Sequence, residues 1–137
     1  MARASGILAA SAAAVIAVDL GLKAVATGPD VPLHDRSPVY ALVAVAALAW
    51  SAALLATGSR LLAAAGGLVL GGAVANCVAS LALWPGVPDP LVAGGIAFNP
   101  ADVAALTGGL VAVPLAAGIL IARSYATSSS AGATPAP

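Results

Sequence analysis

Apolar residues run through the chain in four long stretches, which short polar segments separate. The stretches lie near residues 5–26, 39–57, 61–83 and 102–122. Each is long enough to cross a hydrocarbon core about 30 Å thick, which takes roughly 20 helical residues. The pattern therefore predicts an all-α membrane protein, a four-transmembrane-helix bundle formed by residues 1–123, with a short polar region on its outer face.

The composition supports a membrane environment. Of the 137 residues, 61% are hydrophobic and 7% are charged, and the mean hydropathy is +1.06, whereas soluble domains carry roughly 25% charged residues. The first stretch is too long for a removed signal peptide and contains Asp19, so we interpret it as a retained span. Residues 124–137 are rich in Ser, Thr, Ala, Gly and Pro and predict a disordered cytoplasmic tail.

Basic residues near the span ends predict the orientation. If the spans alternate in direction, three basic residues share one side of the membrane: Arg3, Arg60 and Arg123. Lys23 and Arg36 fall on the other side. The positive-inside rule therefore predicts that both termini are cytoplasmic. The two longer loops, 27–38 and 84–101, then face outward.

The carboxylates concentrate near this outer side. All five acidic residues are aspartates, and carboxylates at membrane depth are costly and usually functional. At about 1.5 Å per residue, Asp19 lies roughly 21 Å, and Asn76 roughly 22 Å, from the cytoplasmic start of its span. Asp102 begins the fourth span from outside. These three side chains are predicted to share the outer third of the bilayer and to form one site.

Each of these polar residues also has a purely structural interpretation. Asn99, followed by a proline, is a good N-cap, and Asp102 would then interact with the helix dipole from the first turn. Asp89 stands between two prolines, which is typical of a solvated turn. Asp19 and Lys23, four residues apart, could form an ion pair along the first helix. Both interpretations stay open at this point.

Other kinds of chemistry have little support in the sequence. The chain has one histidine and one cysteine, which argues against a zinc site and against a Ser-His or Cys-His nucleophile. We interpret the histidine, His34, as a solvated loop residue. The glycine fingerprints of nucleotide-binding loops are absent from the sequence. We therefore expect no metal, no organic cofactor and no nucleic-acid partner.

Four short motifs resemble those of the lipoprotein signal peptidase (signal peptidase II) family, which comprises four-span aspartic peptidases of bacterial membranes. They are D-x-x-x-K at 19–23, a glycine-rich run ending in Asn76, G-V-P-D ending at Asp89, and F-N-P-A-D at 98–102. The last matches the family's F-N-x-A-D, and all four occur in the family's order and on the corresponding spans. The resemblance covers most of the chain up to Arg123.

The resemblance implies an activity, a substrate and roles for individual residues. Asp89 and Asp102 would be a catalytic pair that shares a proton, so that one deprotonates a water while the other polarises the scissile carbonyl. Four residues would support them: Asp19, Lys23, Asn76 and Asn99. The substrate would be a prolipoprotein with a diacylglyceryl-modified cysteine, which enters from the membrane lipid. The protein would be a monomer in the bacterial cytoplasmic membrane.

Departures from the family pattern keep other functions open. Ala79 and Ser80 stand where the family has Asp-Arg, and loop 27–38 is short and lacks the family's N-x-G-x-A-F motif. One alternative is therefore a catalytically impaired relative that binds lipoprotein signal sequences or a membrane partner. Another is a small four-span transporter that uses Asp19 as its coupling carboxylate.

Overall fold

Four long helices make up most of the protein. The computed structural model describes residues 2–26, 28–35 and 37–131. The helices are α1 (Ala2–Ala26), α2 (Val39–Ala56), α3 (Arg60–Val78), which continues as a π-helical segment (Ala79–Leu83), and α4 (Pro100–Ala131). All four are long and apolar enough to span a membrane. The predicted all-α, four-helix membrane protein is confirmed.

The end of α4 differs from the prediction. A disordered tail was expected from Ser124, but the helix continues to Ala131. Each added helical residue gains a backbone hydrogen bond, and the Ser124 hydroxyl donates to the Leu120 carbonyl one turn earlier, at 3.0 Å. The helix therefore passes through Ser124 instead of ending there. The predicted tail beyond residue 131 lies outside the described residues.

Helix α3 occupies the centre of the bundle and packs against each of the other three helices. Glycines make these contacts close: Gly67 and Gly71 of α3 meet α1, and Gly108 of α4 meets α3. A Cβ atom at Gly71 would stand 2.7 Å from the backbone oxygen of Ala12. Such close backbone approach is typical of helix packing in lipid, where small residues form the contacts.

The tight turn between α2 and α3 lies at the end of the bundle that the sequence analysis predicts to be cytoplasmic. Gly58 adopts a positive φ of 77° there, and Ser59 caps α3 by accepting a hydrogen bond from the Leu62 backbone N–H at 3.3 Å. A small apolar core lies at the same end. It is formed by Leu54, Leu62, Ala65 and Ala112.

At the opposite end, the loops contain four short strands that the sequence analysis did not predict. They are β1 (Leu33–Asp35), β2 (Gly86–Pro88), β3 (Leu91–Ala93) and β4 (Ile96–Phe98). Strand β1 pairs antiparallel with β2, and β3 pairs antiparallel with β4. Gly94 and Gly95 form the two-residue turn of the second pair with φ values of 58° and 80°, as such hairpin turns require. The two loops are therefore ordered by backbone pairing.

We predict that Gly71→Ala destabilises the protein and that Gly109→Ala does not. The added methyl at residue 71 collides with the backbone of α1, and overpacking of this kind costs about 1–3 kcal/mol. A Cβ at Gly109 meets nothing within 4 Å, so both variants gain helix propensity but only one gains a clash. The measurement is the free energy of unfolding in detergent micelles. Equal stabilities of the two variants would contradict the close packing of α1 on α3.

Candidate functional site

The site is built around the first turn of α4. Asn99 caps the helix: its Oδ1 accepts from the Asp102 backbone N–H at 3.1 Å. In return, Asp102 Oδ2 accepts from the Asn99 backbone N–H, also at 3.1 Å. Pro100, the first helical residue, has no N–H that needs a partner. The capping interpretation of Asn99 and Asp102 is confirmed, and this reciprocal pair fixes the position of the Asp102 carboxylate.

A carboxylate from α1 satisfies the remaining donor of this turn. The Ala101 backbone N–H donates to Asp19 Oδ1 at 3.0 Å. The other oxygen of Asp19 forms an ion pair with Lys23 Nζ at 2.7 Å, and both side chains are fully buried. The predicted ion pair along α1 is confirmed. It also ties α1 to the start of α4, since Asp19 bonds to both elements.

Asn76 of α3 joins the ion pair to Asp102. Its Oδ1 accepts from Lys23 Nζ at 2.7 Å, and its Nδ2 donates to Asp102 Oδ1 at 2.8 Å. Asp19, Asn76 and Asp102 therefore lie in one connected layer, as the depth estimate predicted. Because Lys23 can only donate and the Asp102 carboxylate can only accept, the orientation of the Asn76 amide between them is determined.

The β3–β4 hairpin brings Asp89 to the same place. Because Leu91 pairs with Phe98, the residues just outside the hairpin lie side by side, and Asn99 Nδ2 donates to Asp89 Oδ1 at 2.6 Å. Asp89 is fully buried, so its interpretation as a solvated turn residue is wrong. Its backbone N–H donates to the Pro32 carbonyl at 2.9 Å, which extends the β1–β2 pairing by one residue.

His34 is a member of the site that the sequence analysis missed. It pairs with Val87 in the β1–β2 ladder, and Asp89, two residues further on, is its diagonal neighbour on the same face. The His34 Nδ1 atom contacts Asp89 Oδ2. The side chain is solvated, as the sequence analysis expected, since 64% of it is exposed, but it also contacts a buried carboxylate. No motif in the sequence indicated this contact, which depends on the unpredicted strand register.

A cavity of about 600 Å³ opens beside these residues. Apolar and small side chains of α2, α3 and α4 form most of its wall. The polar side chains lie on one part of the wall: His34, Asp35, Ser37, Tyr40, Asn76 and Asp102. Asp89 is not among the described residues that line it. Asp102 therefore faces the cavity directly, whereas Asp89 is in contact with His34, which lines it.

The two residues at which the chain departs from the pattern it resembles lie in the π-helical segment at the end of α3. Ala79 and Ser80 are both fully buried, and the segment packs against β2. The Ser80 hydroxyl has no hydrogen-bond partner among the described residues. Neither side chain carries a charge, so this segment adds no ionisable group to the site.

Comparisons with known proteins return nothing for this chain: no family model matches it, and no curated protein or solved structure does. The structure does join all of the predicted site residues in one hydrogen-bonded network. The members are Asp19, Lys23, Asn76, Asp89, Asn99 and Asp102. A function has to be argued from the chemistry of this network and from the cavity beside it.

We predict that Lys23→Met strongly destabilises the bundle. The change leaves the buried Asp19 carboxylate without its cation and removes the donor to Asn76, and breaking a buried ion pair in this way costs about 3–5 kcal/mol. The double variant Asp19→Asn, Lys23→Met should recover much of this loss, because it removes both charges and keeps an acceptor for Ala101. Unfolding in detergent measures both. A single variant as stable as the wild type would contradict the buried ion pair.

Proposed function

We propose that the protein is a membrane aspartic endopeptidase that uses Asp89 and Asp102. The observation that carries the proposal is a pair of carboxylates, Asp89 and Asp102, that both form hydrogen bonds with Asn99, while Asp102 lines an apolar cavity. Ionisable side chains within membrane proteins are costly and mark functional sites. In hydrolytic sites, two carboxyl groups in different surroundings commonly act as the general acid and the general base.

The chemistry is addition of water to a peptide carbonyl. One carboxyl group, in its protonated form, donates a hydrogen bond to the carbonyl oxygen, while a base takes a proton from the attacking water. Asp102 suits the first role because it lines the cavity. Asp89 supplies the negative charge on the base side, within reach of Asn99 and His34. When the C–N bond breaks, the proton taken from water passes to the leaving amine.

The cavity favours a substrate that arrives from the membrane. Its wall consists mainly of apolar side chains of α2, α3 and α4, and its polar part lies where the strands cover the helix ends. An apolar peptide segment fits the wall, and its scissile bond would lie at the polar part. Together with the four motifs, this favours a prolipoprotein with a diacylglyceryl-modified cysteine, processed as a monomer at the outer face of the bacterial cytoplasmic membrane, with both termini in the cytoplasm.

A second candidate function is binding without cleavage. Both oxygens of Asp89 are engaged, one by Asn99 and one by His34, and Ala79 and Ser80 replace the charged pair of the family. A protein of this kind would hold a signal sequence or a membrane partner in the cavity and release it intact. The transporter hypothesis has less support, since Asp19 already uses its two oxygens for Lys23 and Ala101.

We predict that Asp89→Asn and Asp102→Asn each reduce cleavage by several orders of magnitude. The assay uses the purified full-length protein in detergent with a diacylglyceryl-modified prolipoprotein, and mass spectrometry identifies the cut. Because two groups that act as one unit are not additive, the double variant should be scarcely slower than either single variant. Asp30→Asn, which changes an exposed loop aspartate outside the network, is the matched control and should cleave normally.

The stability of each variant has to be measured together with its activity, because Asp89→Asn and Asp102→Asn differ in the hydrogen bonds that they lose. At residue 89 an amide keeps an oxygen for Asn99 Nδ2. At residue 102 both oxygens accept from N–H donors, so an amide loses one acceptor, at a cost of about 1–3 kcal/mol. Folded variants that cleave like the wild type would refute the peptidase proposal. Wild-type protein that binds the prolipoprotein but leaves it intact would establish the binding function instead.

A further inference from the structure

His34 is the one titratable side chain that both contacts Asp89 and lines the cavity, among the described residues. Asp89 itself is fully buried and does not reach the cavity wall. A carboxylate in that position cannot touch a water molecule held against a substrate in the cavity. The imidazole ring of His34 contacts Asp89 and also lines the cavity, with 64% of its side chain exposed.

We propose that His34 is the catalytic base of this site and that Asp89 is the positioning residue that orients it. The proposal rests on the peptidase function above and specifies which group touches the attacking water. With Nδ1 against a carboxylate oxygen, the ring hydrogen belongs on Nδ1, and Nε2 is left as the acceptor of the neutral ring. Orientation of an imidazole by a buried carboxylate is a recurrent arrangement for general-base catalysis.

The backbone holds this pair in register. The β1–β2 ladder places His34 opposite Val87, and the Asp89 backbone N–H bonds to the Pro32 carbonyl. The Asn99 side-chain amide donates a hydrogen bond to Asp89 Oδ1. The backbone and the side chain of Asp89 are therefore both held in place, and its Oδ2 atom is left to contact the His34 ring. A base held in this way needs little reorganisation when the water loses its proton.

The reaction balances without any further reagent. His34 Nε2 takes a proton from water as the oxygen bonds to the scissile carbonyl carbon, while protonated Asp102 donates a hydrogen bond to the carbonyl oxygen. As the tetrahedral intermediate collapses, the C–N bond breaks and the imidazolium returns its proton to the leaving nitrogen. Asp102 keeps its proton, and the products are a carboxylic acid and an amine.

Three substitutions at His34 separate this proposal from its rivals. Asn keeps a nitrogen donor near the place of Nδ1, and so preserves the contact with Asp89, but it has no second ring nitrogen. We expect His34→Asn to lower kcat by about 10²-fold or more, the usual contribution of a general base, with KM nearly unchanged. His34→Gln and His34→Ala should be similarly slow, while all three remain folded because the side chain is largely exposed.

The pH profile tests the identity of the base. A general base takes a proton only in its deprotonated form, so the wild-type kcat/KM should rise with pH, and the residual activity of His34→Asn should lose this rise. The ionisable groups that share the cavity or contact the ring are Asp35, Tyr40, Asp89 and Asp102. Asp35→Asn should therefore be profiled beside it, and the rise should persist in that variant.

Two outcomes would overturn the proposal and leave the peptidase function standing. If His34→Asn cleaves with the wild-type kcat and pH profile while Asp102→Asn is inactive, Asp89 acts on the water directly. If His34→Ala cleaves faster than the wild type, the ring blocks the access of water to Asp89 and is not a base. Absence of cleavage by the wild type itself would refute the proposed function and this inference with it.

Discussion

The first turn of α4 imposes the constraint on which the polar site depends. The start of α4 is buried at Asn99 and Ala101, so its first N–H groups need partners within the protein, and each group left unsatisfied would cost about 1–3 kcal/mol. Here Pro100 removes one donor, Asp19 accepts the second and Asn99 accepts the third. Because Asp19 belongs to α1 and Asn99 also holds Asp89, satisfying one helix end brings three segments of the chain together.

The same contacts prepare the carboxylates for chemistry. Asp102 belongs to the capping pair and also accepts from Asn76, so its carboxylate is fixed while one side faces the cavity. Structural and catalytic interpretations of this residue are therefore compatible, and a substitution there changes both stability and chemistry. Asp89 contributes no such bond to a helix end, which makes its substitution the cleaner probe of chemistry.

The sequence predicted the helices and the part of the site formed by Asp19, Lys23 and Asn76, because those depend on local or regular features. Apolar length defined the spans, helical rise placed Asp19 and Asn76 at one depth, and the i, i+4 spacing gave the ion pair with Lys23. The strands could not be foreseen in the same way, since three-residue strands carry too little pattern and their register is a long-range property. The β3–β4 hairpin is the exception, because the Gly94-Gly95 pair is a turn signal in the sequence itself.

The β1–β2 register, which the sequence did not predict, accounts for one difference between this site and the pattern that it resembles. Where that pattern places a charged pair after the asparagine of the third span, this chain has Ala79 and Ser80, and the Ser80 hydroxyl finds no partner among the described residues. The Oδ2 atom of Asp89 instead contacts His34, which belongs to strand β1. A side chain from the segment between α1 and α2 thus supplies a polar partner to Asp89. The β1–β2 pairing holds this loop against the segment that carries the aspartate, and the contact between His34 and Asp89 follows from that register.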